Sequence, residues 1–216
     1  MRSDSSVRVK TEMQVLMFGA EIMKVLGSSA YAVVGQFCPF QVTMPHSMWL
    51  NGNHAAEVGR FRTSMSPANA YRKFAELMLG REDPNEEIEK TPRVFASGSP
   101  FKSCDWMGGV RADKYIVAVS GQAEEHDRLI AAVMVFSRFR TVRCLPELYK
   151  TERDARVFEI VVDNSHDRVK LLGFLSGVCG RDSLWEGPGD ILGILVTTND
   201  VRDLGTTIGV VVTARK

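Results

Sequence analysis

Apolar positions along this chain follow two rhythms. Residues 11–26, TEMQVLMFGAEIMKVL, repeat at helical spacing: Val15, Phe18, Ile22, Val25 and Leu26 share a stripe, while Glu12, Glu21 and Lys24 lie off it. Gly27-Ser28-Ser29 ends that helix. Residues 30–44 are dense in Val, Phe and Tyr and predict a strand, bent or broken at Gly35 or at Cys38-Pro39. Asn51-Gly52-Asn53 signals a turn, and residues 55–63 predict a returning strand. Ser66-Pro67 predicts a helix start, with Ser as N-cap and Pro at the first helical position. That helix runs to Gly80.

Residues 81–93 are charged and hold two prolines, and 97–109 hold Gly98, Pro100, Gly108 and Gly109; both predict long loops. Tyr115–Val119 is a strand that Ser120-Gly121 turns into the helix AEEHDRLIAAVMVFSRF. Arg140–Arg156 reads as a polar connector containing Pro146. Val157–Val162 is a strand, Asn164 or Ser165 caps a helix to about residue 178, and 179–189 are glycine-rich. Two final segments, GDILGILVTTND and TTIGVVVTARK, share Gly-x-x-Val-Thr and predict an antiparallel hairpin around 199–205. The mixture is α+β.

Composition narrows the picture. At 216 residues, 44% hydrophobic and 25% charged, the chain is long enough to bury a core and too apolar for disorder. A formal net charge of +1 supplies no global field toward nucleic acid or membrane. No apolar run reaches the roughly 18 residues of a membrane span. The N-terminus, MRSDSSVRVKTEMQ, has no secretory signal core, so the expected location is cytoplasmic, with an organelle matrix such as the mitochondrion as the alternative. The closest cysteines in sequence, Cys144 and Cys179, are too far apart for a Cys-x-x-Cys pair, and reduced, mostly buried thiols are expected.

The segment GGVRADKYIVAVSGQAEEHDRLIAAVMVF places Gly108-Gly109, then Val119-Ser120-Gly121, before the acidic helix start Glu124-Glu125-His126-Asp127. Upstream, VGRFRTSMSPANAYRKFAELML carries Arg60 and then Arg72-Lys73 on a helix. In these pieces residues 10–138 resemble the GlcG/HbpS family of small haem-associated α+β domains and its relatives sharing the Val-Ser-Gly motif. The resemblance implies a GlcG/HbpS-like or profilin-like sheet with helices packed on it over residues 1–140, often oligomeric, with haem binding or small-molecule sensing in some members. Residues 141–216 have no counterpart in it and form a C-terminal β-α-β-β extension.

Candidate chemistry is sparse. Cys38 precedes Pro39, a pair used in thiolate haem ligation, though a buried thiol beside a strand-edge proline explains it too. None of His46, His54, His126 and His166 stands in a His-x-x-x-His or His-Glu-x-x-His pattern; His46 and His54 flank a turn, and His126 reads as a solvated residue in a helix's first turn. Glu124, Glu125 and Asp127 complement a helix dipole, which explains them without acid–base chemistry. Ser120 lacks the Gly-x-Ser-x-Gly of a nucleophile elbow. Arg138, Arg140 and Arg143 open a basic stretch interleaved with Phe139 and Tyr149 that suits RNA, or else a solvated connector. The candidate ligand-binding residues are Cys38, His46, His54, Arg60, Lys73, Gly108, Gly109, Ser120, Gly121 and His126, and no catalytic or metal set emerges. The expected function is a non-enzymatic ligand-binding or protein-interaction module, as a homo-oligomer or assembly subunit. The alternatives are haem or small-molecule handling and an RNA-associated assembly subunit.

Overall fold

The computed structural model describes residues 10–37, 44–50, 61–78, 83–84, 94–96, 108–151, 155–187, 189–198 and 205–215. The fold is α+β: four helices and two mostly antiparallel sheets among the described residues. The helices are α1 (Glu12–Val25), α2 (Phe61–Met78), α3 (Glu124–Phe139) and α4 (Ser165–Cys179). The first sheet orders its strands β2-β1-β6-β5-β4-β3, every neighbouring pair antiparallel. Its strands are β1 (Ala30–Gln36), β2 (His46–Leu50), β3 (Asp83–Pro84), β4 (Val94–Ala96), β5 (Gly109–Ala112) and β6 (Tyr115–Ser120). The second sheet runs β7-β8-β11-β10-β9, from β7 (Val142–Tyr149), β8 (Ala155–Val162), β9 (Leu184–Glu186), β10 (Leu192–Thr197) and β11 (Thr207–Ala214). Within it β8 and β11 are parallel, joined by a crossover that includes α4.

Local chemistry explains the boundaries. Thr11 caps α1: its side chain accepts from the Gln14 backbone N–H, and the Gln14 side chain accepts from the Thr11 N–H. Asn164 caps α4 by accepting from the Asp167 N–H at 2.9 Å. The final hairpin pairs as its sequence symmetry predicts, with Gly193 opposite Val211 and Leu195 opposite Gly209.

Three expectations need correction. Residues 61–63 are helical, so α2 begins at Phe61 and Pro67 lies inside it. A proline's locked φ is itself helical, and Pro67, in the second turn, gives up one ladder bond while α2 continues to Met78. Residues 83–84 lie in the segment expected as a solvated loop, yet form an edge strand against β4. The connector after Arg140 is mostly strand: β7 pairs with β8, and its register slips between Cys144 and Leu148, where Pro146 has no N–H to give the ladder.

The helices form two layers. α2 covers one face of the first sheet through Ala70, Phe74 and Leu77 against Val33, Ile116 and Ala118. α1, α3 and α4 lie on the other side, against the second sheet. One cluster of buried residues runs from Ala32, Val34 and Val119 through Leu129 and Met134 to Ile160 and Val210. Every residue of α3 from Leu129 to Arg138 is buried, as expected where Leu129–Phe136 is apolar on all sides.

Candidate functional site

Lys73, Gly108, Gly109, Ser120, Gly121 and Asp127 converge on the N-terminal end of α3. Lys73 from α2 donates to the Val119 carbonyl at 2.7 Å and to Asp127 Oδ2 at 3.1 Å. Asp127 Oδ1 accepts from the Gln122 backbone N–H at 3.1 Å. Gly108 closes over the pair at φ +112°; a Cβ there would lie 2.7 Å from Lys73 Nζ and 2.6 Å from Asp127 Cβ, so no larger residue fits. Gly109 pairs with Ala118, and Ser120 is buried beside Gly121, which has φ +148°. Burial pushes the Asp127 carboxyl up, against the pull of the Lys73 ammonium and the Gln122 and Gly121 backbone. The two side chains are 1% and 2% exposed. With so little surface, this pair meets no solute in the folded chain. It binds α2, β6 and α3 into one unit.

The other candidates do not join it. His46 is exposed on the edge strand β2, opposite Val34, whereas Ser120, which leads into α3, pairs with Tyr31 at the other end of β1. His126 is only 2% exposed, a correction to its reading as a solvated residue. Its ring packs against the β10–β11 hairpin, and burial lowers its pKa against the opposing backbone of Val196 and Thr206 and the charges of Asp127 and Glu125. Glu125 turns away to accept from Thr198 Oγ1 at 3.0 Å. Cys38, His54 and Arg60 lie outside the described residues. Cys144 and Cys179 are free thiols, and burial pushes both up to about 12, which leaves little reactive thiolate at neutral pH. Among the described residues no three His, Cys, Asp or Glu side chains gather as a metal site would.

The basic stretch is divided by the fold. Arg138 is 6% exposed; it donates to Glu12 Oε1 at 3.0 Å and stacks 4.3 Å from the Tyr115 ring centroid. Gln36 donates to the same Glu12 oxygen, so Glu12, off the apolar stripe in sequence, ties α1 to β1 and α3. Arg140 pairs with Asp167 at 2.9 Å, and Arg143 stands exposed on β7. Arg138 and Arg140 serve different neighbours, and a shared phosphate-contacting face needs more than Arg143.

A feature that sequence reasoning missed is a groove of about 630 Å³ between the outer flank of α1 and β7. Met13 and Met17 line one wall, 49% and 53% exposed, with Phe18 beneath them. Cys144, Leu145 and Pro146 of β7 line the other. Lys10, Lys24, Arg143 and Glu21 stand around these apolar walls, and Lys10 Nζ lies 4.6 Å from the Phe18 ring centroid. The volume falls within the range of small-ligand pockets, and the exposed thioethers are long, polarizable and adaptable. The hint in the sequence was Met13 and Met17, apolar residues off the core stripe four positions apart on one helical face. Comparison with protein-family models, curated proteins and solved structures found no match.

Proposed function

We propose that this chain is a non-enzymatic protein-interaction module whose docking surface is the groove between α1 and β7. The observation behind this reading is the pair of half-exposed methionines facing Leu145 and Pro146. Apolar side chains held in a groove beside charged ones are the usual form of a partner site, and methionine accepts a partner of imperfect fit. The buried Lys73–Asp127 pair and the engaged Arg138 and Arg140 support a scaffold role for residues that otherwise invite a catalytic or RNA-binding reading. None of the helices is long and apolar enough to cross a membrane among the described residues.

Panning a random-peptide library on the purified chain tests the reading. Enriched peptides are expected to lose binding to Met13→Gln/Met17→Gln, which keeps helix propensity and removes the apolar surface. Peptides that bind the parent and this variant equally would overturn it.

A further inference from the structure

Resting on that reading, we propose that the groove takes an acidic amphipathic helix from a partner protein. Shape argues first. The α1 wall runs from near Lys10 to Val25, so at 1.5 Å per residue it offers about 20 Å of straight contact, the length of a four-turn helix. Met13 and Met17 stand one turn apart on that wall, the spacing at which a helical ligand presents its anchors.

Charge argues next. Lys10, Lys24 and Arg143 outnumber Glu21 around the groove, so anionic flanks on the ligand meet cations on either side of the apolar seam. Burial lowers the Lys10 pKa while Glu21 raises it, and an anion laid beside Lys10 favours its charged form further.

The structure also argues against other occupants. An added β-strand needs a regular edge, and β7 slips register between Cys144 and Leu148 around Pro146, which has no N–H. A second copy seated on the same surface sets like charges against each other, with Glu21 the sole acid among the described lining residues. An acyl chain in a groove whose methionine wall is half exposed keeps much of its own surface in water.

The test uses a fluorescein-labelled 18-residue peptide with leucine at helical spacing and glutamate on both flanks, and a twin with lysine in place of glutamate. Anisotropy titrations of the full chain at low salt are expected to show the acidic peptide binding at least tenfold tighter. Lys24→Glu/Arg143→Glu is expected to reverse that preference. Met13→Gln/Met17→Gln is expected to weaken binding at least tenfold with an unchanged circular-dichroism melt. Equal affinity for the twins, together with loss in the methionine variant, overturns the charge assignment and leaves the docking role standing. Binding that survives the methionine variant overturns both. Tighter binding of dodecanoate at the groove, or dimerisation that the methionine variant abolishes, overturns the helix in favour of an acyl chain or a second copy.

Discussion

Lys73 and Asp127 form an ion pair almost wholly removed from solvent, and their energetics follow from burial. Each ion leaves water on folding, and the other, with the Val119 carbonyl and the Gln122 and Gly121 backbone, compensates it. Lys73→Met removes the cation and leaves a carboxyl in the core, at an expected cost of about 3–5 kcal/mol. Lys73→Met/Asp127→Leu removes both charges and is expected to recover most of that loss. Urea denaturation of the two singles and the double, combined as a cycle, measures the coupling; a single-variant cost below about 1 kcal/mol would refute the account. This pair was half legible in the sequence. Lys73 stood out within Arg72-Lys73, but Asp127 had a sufficient local explanation in the helix dipole. Its partner is 54 residues away, on a helix covering the opposite face of the first sheet, and no local pattern encodes that meeting.

Elements proved legible where periodicity was strong and ambiguous where punctuation had two meanings. The α1 stripe is read from its spacing, and its Val15, Phe18 and Ile22 are buried; the final hairpin is read from two matching segments, which pair as β10 and β11. Pro67 and Pro146 misled for different reasons: Pro67 gives up one ladder bond inside α2 and the helix continues past it, whereas on the edge strand β7 the missing N–H of Pro146 falls where the register slips. The first turn of α3 and the β10–β11 hairpin meet at His126, which sets a pH dependence. Burial holds the folded His126 pKa below the unfolded value of about 6.5, so the unfolded chain binds the proton more readily. The stability tied to a neutral ring is therefore present above about pH 6.5 and is lost as pH falls toward the folded pKa, at up to about 1.4 kcal/mol per pH unit. Urea melts from pH 5 to 8 are expected to show a shallower acid-side loss in His126→Gln than in the parent. Parallel profiles would remove His126 from the account.

At the scale of the molecule, the buried cluster passes through α3 from one sheet to the other without a polar gap among its named members. The reach of the resemblance sets residues 1–140 apart from a 141–216 extension, and a core shared across sheets leaves no mark in hydropathy. Trp49 in β2 and Trp185 in β9 report on the two sheets separately. Two variants, each keeping one of these and carrying Phe at the other tryptophans, are expected to show coincident urea transitions by fluorescence. Separated midpoints would show that the sheets unfold independently.

The strand order carries a further consequence for synthesis. β11 is the last of the described strands and the middle strand of the second sheet, flanked by β8 and β10. Until residues 207–214 have left the ribosome, that sheet has no centre, and the side of α3 that faces it stays uncovered. The nascent chain thus carries the apolar stretch Leu129–Phe136 of α3 with one side uncovered while residues 140–214 are made, the kind of exposed segment that chaperones hold.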